Sequence, residues 1–153
     1  MRKEMSILGI APYIAAPTFL YLALTIVISY LAEGIFTITS SSYNFLAIIG
    51  IVMIIIGILM VISCGRKVLN SFGSGKLITD GLYGIFRNPM YAAYLIFAIP
   101  GICFLFNTWL ALTTVILNYI LFSILIKREY IYLQEKFGNE YEAYLAKVFF
   151  KFL

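Results

Sequence analysis

The amino-acid sequence predicts an all-α integral membrane protein with about four transmembrane helices and a C-terminal amphipathic helix. Hydrophobic residues make up 63% of the 153 residues and charged residues only 12%, which is about half the charged share of a typical soluble domain. Uncharged runs reach or exceed the roughly 18 residues that indicate a membrane span. A soluble helical protein would have to bury all of these runs, so we predict one membrane domain over residues 1–153.

The first two predicted spans are long runs without a charged residue. The first covers residues 5–32, and its Pro12 and Pro17 predict a kink or a late helix start in its first half. The second covers residues 44–65. There Gly50 and Gly57 are seven positions apart on one helical face, a spacing that favours close helix packing.

The third and fourth predicted spans cover residues 89–106 and 109–126. The third is short and contains Pro100, and the fourth begins at Trp109, an aromatic residue typical of the membrane interface. Only the turn signal Asn107-Thr108 separates the two runs. So brief a connection predicts an antiparallel helical hairpin.

The positions of Lys and Arg predict the orientation, because these residues accumulate in cytoplasmic loops. They lie before the first span, in a connecting segment over residues 66–88, and after the fourth span, whereas the other two loops contain none. We therefore predict that both termini and the connecting segment are cytoplasmic.

The chain after the fourth span, residues 127–153, is predicted to form a cytoplasmic or interfacial amphipathic helix. A break is expected at Phe137-Gly138. One face of this helix would carry the apolar and aromatic side chains Tyr141, Tyr144, Leu145, Val148, Phe149 and Phe152.

The composition also argues against several kinds of site. The chain has no histidine, and its two cysteines lie singly inside apolar runs, so we predict no metal site. Because the basic residues flank the predicted spans, we do not interpret the net charge of +4 as a nucleic-acid-binding signal.

Polar side chains are predicted to converge at the cytoplasmic ends of the third and fourth spans. They are Arg87, Asn88, Tyr91, Tyr94, Arg128, Glu129 and Tyr130. Such convergence in a membrane protein favours a functional site. The alternative is a structural one, in which Arg87 and Glu129 form a salt bridge at the helix ends.

Three motifs occur in order in the C-terminal half of the chain. They are Leu77-x-Thr79-x-Gly81-Leu82-Tyr83, then Arg87-Asn88-Pro89-Met90-Tyr91, then Glu129 followed by Phe137-Gly138-Asn139-Glu140-Tyr141-x-x-Tyr144. Each is weak alone. The ordered set, over Leu77 to Val148, resembles the isoprenylcysteine carboxyl methyltransferase and phospholipid methyltransferase superfamily.

The resemblance implies a membrane methyltransferase that uses S-adenosylmethionine in a cytosolic pocket. The methyl acceptor would be a lipophilic or lipid-modified molecule that enters from the bilayer lipid: a prenylated cysteine carboxylate, a phospholipid amine or a small thiol. Arg87, Tyr91 and Glu129 would be catalytic. The residues implied to bind the cofactor are Gly81, Leu82, Tyr83, Arg87, Asn88, Pro89, Tyr91 and Glu129.

Two positions depart from the pattern of the superfamily. Asn88 stands where the superfamily has histidine, and Tyr130 replaces the second acid of a Glu-Glu pair. Asparagine forms hydrogen bonds but cannot act as a base near neutral pH. A carboxylate acceptor needs no base, whereas an ammonium acceptor must lose a proton. We therefore favour carboxylate methylation.

Two other classes of function stay open on the sequence alone. A membrane reductase of the steroid-reductase type would resemble the same half of the chain and would bind NADPH. A non-catalytic membrane scaffold would keep the fold, with Asn88 and Tyr130 marking a lost active site.

Overall fold

The computed structural model describes residues 10–32, 34–71 and 75–151. In these ranges the chain folds into helices and contains no β-strand beyond two isolated bridges. The helices are α1 (Ala11–Leu31), α2 (Tyr43–Ser71), α3 (Leu82–Ile85), α4 (Pro89–Ala92), a π-helix (Ala93–Ala98), α5 (Ile99–Leu105), a 3₁₀ turn (Leu110–Leu112), α6 (Thr113–Phe137) and α7 (Asn139–Lys147). The predicted all-α class is confirmed.

Among the described residues, three helices are long and apolar enough to cross a membrane: Ala11–Leu31, Tyr43–Ser71 and Leu110–Phe137. They correspond to the first, second and fourth predicted spans. The third predicted span is the shorter apolar helix Pro89–Leu105, called the central segment below. The chain is therefore an integral membrane protein by length and composition of its helices, and the fourth span and the hairpin stay predictions.

The central segment is an irregular helix, and Pro100 explains why. Proline has no N–H to bond to the carbonyl four residues earlier, and its ring crowds that carbonyl. The π-helix Ala93–Ala98 directly precedes α5, which contains Pro100. A π-helix has more residues in each turn than an α-helix, and this wider turn relieves the crowding at the proline ring.

Glycines allow the central segment to pack closely against α2. A Cβ atom on Gly50 would lie 2.6 Å from the carbonyl oxygen of Gly101, and one on Gly57 would lie 3.3 Å from the carbonyl oxygen of Ala93. The backbones of the two helices are therefore nearly in contact. This confirms that Gly50 and Gly57 share one packing face.

Two buried clusters join the central segment to α1 and α6. The first contains Ile10, Ile14, Tyr91, Phe122 and Ile126, and the second contains Leu22, Ile99, Cys103 and Ala111. Cys103 is fully buried among these apolar side chains. The central segment thus contacts α1, α2 and α6.

The turn predicted at Asn107-Thr108 is confirmed. Asn107 takes a positive φ of 52°, and its side chain accepts a hydrogen bond from the Thr39 amide and donates one to the Thr39 carbonyl. These bonds connect the turn to the loop between α1 and α2.

Several helix ends differ from the predicted segment boundaries. The helix of the second span continues past residue 65, because α2 ends at Ser71 and includes the first part of the predicted connecting segment 66–88. Residues 127–137 belong to α6 and not to a separate C-terminal helix 127–153. Within the described residues that helix covers only Asn139–Lys147, because Val148 is extended, and residues 152–153 of the prediction lie outside the described residues. The first span begins at Ala11, with Pro12 in its first turn, and the predicted residues 5–9 lie outside the described residues.

Candidate functional site

The residues predicted to bind a cofactor begin at the turn before α3. Gly81 caps α3 with a positive φ of 62°, a conformation that favours glycine. The preceding Asp80 forms a salt bridge with Lys67 at the end of α2, and the hydrogen bond from Lys67 lowers the pKa of the Asp80 carboxyl. This ion pair connects the turn to α2.

The C-terminal residues pair with the backbone just before Arg87. The Phe150 amide donates to the Ile85 carbonyl at 2.8 Å, and the Arg87 amide donates to the Phe150 carbonyl at 3.0 Å. The rings of Phe86 and Phe150 stack with their centroids 5.0 Å apart. Sequence reasoning missed this contact because it placed the tail in a helix.

Phe150→Pro is expected to loosen the backbone around Arg87, because proline removes the amide that bonds to Ile85. Amide hydrogen exchange of residues 85–87 should accelerate about tenfold, as expected for the loss of one hydrogen bond. The matched control is Phe150→Ala, which removes the ring but keeps the amide. Equal exchange in the two variants would show that this bond does not hold the segment.

Two tyrosines of α7, Tyr141 and Tyr144, form hydrogen bonds with residues 83–87. The Tyr141 hydroxyl accepts hydrogen bonds from Arg87 Nε at 3.1 Å and from Nη2 at 2.6 Å. The Tyr144 hydroxyl donates to the Tyr83 carbonyl at 2.8 Å. Burial raises the pKa of Tyr144 to about 12 and also raises the pKa of Tyr141. Both hydroxyls are therefore neutral at physiological pH, and Tyr141 does not neutralise the charge of Arg87.

Tyr141→Phe should lower the free energy of unfolding by about 1–2 kcal/mol, because two guanidinium donors lose their acceptor. Thermal unfolding in detergent micelles, followed by circular dichroism, measures the change. Tyr119→Phe on the exposed face of α6 is the control and should unfold like the wild-type chain. Equal midpoints for Tyr141→Phe and the control would contradict a stabilising role for the bond to Arg87.

Tyr130 covers the face of the Arg87 guanidinium. The Arg87 Cζ atom lies 3.3 Å from the centroid of the Tyr130 ring, within the range of a cation–π contact. The side-chain amide of Asn88 donates to the Tyr130 hydroxyl at 2.6 Å. The two positions that depart from the superfamily pattern, 88 and 130, are therefore in direct contact.

Glu129 has no hydrogen-bond or ion-pair partner in the part of the chain that the structure describes. Its side chain is half-buried, and among the described residues no hydrogen bond or ion pair reaches the carboxylate. The alternative of an Arg87–Glu129 salt bridge is therefore wrong for this structure. Burial, followed by the charges of nearby groups that include Glu129, raises the pKa of the Tyr83 hydroxyl.

The structure separates the predicted site residues into two groups. Arg87 and Asn88 meet at Tyr130, and the Tyr83 backbone is bound by Tyr144. Tyr91, in contrast, packs in the core, where its ring centroid lies 4.8 Å from that of Phe122.

The remaining predicted residues have local roles. Gly81 lies beside Lys67, Leu82 starts α3, and the buried Pro89 starts α4. The sequence placed Tyr130 among the converging polar side chains without giving it a role, and it did not assign Tyr141, Tyr144 or Phe150 to the site. The spacing of the two tyrosines after Gly138 was the available signal for Tyr141 and Tyr144.

The chain is similar to known methyltransferases. Residues 44–140 match the family described as phospholipid methyltransferase. A probable protein-S-isoprenylcysteine O-methyltransferase from Oryza sativa subsp. indica is 33% identical over 133 residues, which cover 79% of this chain and 68% of the relative. Protein-S-isoprenylcysteine O-methyltransferase B from Arabidopsis thaliana is 29% identical over 131 residues, covering 80% of this chain and 66% of the relative. No solved structure matches the chain.

Proposed function

The chain belongs to the phospholipid methyltransferase family and is a membrane methyltransferase, and from this premise we propose that it transfers a methyl group from S-adenosylmethionine to a lipophilic acceptor. The favoured acceptor is a carboxylate on a lipid-modified molecule that enters from the bilayer. The site residues proposed are those implied by the sequence, with Arg87, Tyr91 and Glu129 closest to the chemistry.

The observation that carries this proposal is the pair of charges left uncompensated at the site. Among the described residues, Glu129 has no cationic partner and Arg87 has no acidic one. A half-buried charge without a partner is costly. An amino-acid zwitterion, such as the methionyl part of S-adenosylmethionine, would supply an ammonium for Glu129 and a carboxylate for Arg87. The residues present therefore fit this donor.

The chemistry asks little of the protein beyond positioning. When bound, S-adenosylmethionine supplies a methyl group that is already electrophilic. The chain's own residues hold the two substrates in line and exclude water. A neutral Tyr141 leaves the positive charge of Arg87 available to an anion, and Tyr144 fixes the backbone at Tyr83.

Two considerations support a carboxylate acceptor. The similar proteins from rice and Arabidopsis are named O-methyltransferases of isoprenylcysteine. In addition, Asn88 and its neutral partner Tyr130 offer no base near neutral pH, and a carboxylate acceptor needs none. Methylation of a phospholipid amine would require another proton acceptor.

We also propose the arrangement of this site in the membrane. The central segment is the third of four spans in a single membrane domain, and it forms a hairpin with α6. Both termini and the site lie on the cytoplasmic side. The accumulation of basic residues near the described ends of α2 and α6 supports this orientation.

Isothermal titration with S-adenosylhomocysteine and with NADPH tests the class of function. Binding of the first alone supports methyl transfer, binding of the second alone indicates a reductase, and binding of neither favours a scaffold. A labelled-methyl screen over a prenylated cysteine derivative, phosphatidylethanolamine and a lipophilic thiol then identifies the acceptor. Methylation of phosphatidylethanolamine with no activity on the prenylated cysteine would overturn the carboxylate preference.

A further inference from the structure

We propose that Tyr130 and Asn88 act as one positioning unit that orients Arg87 toward a carboxylate without neutralising its charge. The inference rests on the proposed methyltransferase function and deepens it, since it identifies what holds the anion-binding group. It concerns Tyr130, which the sequence placed among the converging polar side chains but to which it gave no role in binding or catalysis. Tyr130 acts through Arg87, so it is a positioning residue.

The first observation is that the groups in contact with the Arg87 guanidinium are uncharged. The Tyr130 ring lies against the guanidinium face at 3.3 Å, and the Tyr141 hydroxyl accepts from both Nε and Nη2. No carboxylate in the described residues pairs with Arg87. An acidic side chain in the place of Tyr130 would compete with an incoming anion, whereas a ring attracts the cation and leaves its charge in place.

The second observation is how the ring itself is held. Asn88 is buried, and its amide donates to the Tyr130 hydroxyl at 2.6 Å. Arg87 and Asn88 are adjacent in the chain, so two neighbouring residues hold the Tyr130 side chain, one through the cation–π contact and the other through the hydrogen bond. Loss of either end frees the same side chain. The effects of substituting Asn88 and Tyr130 should therefore not be independent.

The third observation is which guanidinium edge stays open. The Nε and Nη2 donors converge on one oxygen, Tyr141 Oη. In the described part of the chain, the hydrogen bonds from the Arg87 side chain leave from Nε and Nη2, and none leaves from Nη1. The structure therefore leaves the Nη1 side of Arg87 for the carboxylate, which belongs either to the methyl donor or to the acceptor.

Four variants in purified full-length chain test the unit: Tyr130→Phe, Asn88→Ala, their double variant and Tyr130→Leu. Each single variant should weaken carboxylate binding about fivefold, the value of one hydrogen bond. The double variant should be no weaker than the worse single variant. Tyr130→Leu also loses the cation–π contact and should weaken binding about thirtyfold. Tyr132→Phe, two residues away, is the matched control.

Three ligands locate the carboxylate. Weaker binding of S-adenosylhomocysteine with unchanged binding of 5′-methylthioadenosine, which lacks the amino-acid part, supports the unit and assigns Arg87 to the donor. Unchanged binding of S-adenosylhomocysteine with a raised KM but similar kcat for N-acetyl-S-farnesylcysteine supports the unit and assigns Arg87 to the acceptor.

Other results overturn the inference. If the wild-type chain binds S-adenosylhomocysteine and the Tyr130 variants match it for all three ligands, the positioning unit is wrong and the proposed function stands. Losses that multiply in the double variant also contradict it. If the wild-type chain binds no S-adenosylhomocysteine, the proposed function fails and the inference fails with it. Should Tyr130→Leu not fold, the two single variants and their double variant still decide the question.

Discussion

Glu129→Gln is expected to weaken the binding of S-adenosylhomocysteine about 30- to 100-fold, because the ammonium of the ligand loses a partly buried carboxylate. Thermal stability should stay close to that of the wild-type chain, since Glu129 has no partner among the described residues. Isothermal titration measures the first quantity, and thermal unfolding in detergent measures the second.

The control for this experiment is Glu135→Gln, an exposed acid on the same helix that should change neither quantity. The informative result is that Glu129→Gln lowers the affinity for S-adenosylhomocysteine without lowering the thermal stability. If Glu129→Gln unfolds at a lower temperature but binds the ligand as before, the carboxylate has a structural role and the proposed recognition of the ammonium is wrong.

Gly50→Ala should lower the free energy of unfolding by about 2 kcal/mol or more. The new methyl group would lie 2.6 Å from the Gly101 carbonyl oxygen and 2.8 Å from the Leu105 amide nitrogen. Both atoms belong to the backbone, so no side-chain rotation relieves the clash, and α2 and the central segment must move apart. Thermal unfolding in detergent micelles measures the effect.

Gly65→Ala is the matched control in the same helix, because a Cβ atom there meets nothing within 4 Å. It should raise stability by about 0.5–1 kcal/mol through the better helix propensity of alanine. Opposite signs for the two substitutions are the expected result. A destabilising Gly65→Ala together with a neutral Gly50→Ala would mean that α2 and the central segment are not packed through Gly50.

The sequence was most informative about features that depend on local composition. Long uncharged runs predicted the three helices that are long enough to span a membrane, since burial in lipid requires continuous apolar surface. The spacing of Gly50 and Gly57 predicted their packing face. Helix ends were predicted less well, because α2 and α6 continue into polar residues that no hydropathy pattern marks as helical.

At the candidate site, too, the sequence predicted some contacts and not others. The ordered motifs pointed to Arg87 and Asn88, which the structure brings together at Tyr130. The predicted convergence of polar side chains left an Arg87–Glu129 salt bridge as the structural alternative, whereas in the structure Arg87 donates to Tyr141. The motifs also pointed to Tyr91, whose ring packs against Phe122 in the core, and its role at the site stays a prediction.

By itself, the sequence determined the helical membrane class, the segment that contains the candidate site and the superfamily to which the chain belongs. These follow from hydropathy, charge placement and motif order, which can be read along the linear sequence without knowing which residues meet in the fold. Only the tertiary structure decided which groups surround Arg87. Its contacts with Tyr130 and Tyr141 join residues 43 and 54 positions apart. Whether such side chains meet depends on how α6, α7 and the C-terminal residues pack against the residues that precede the central segment.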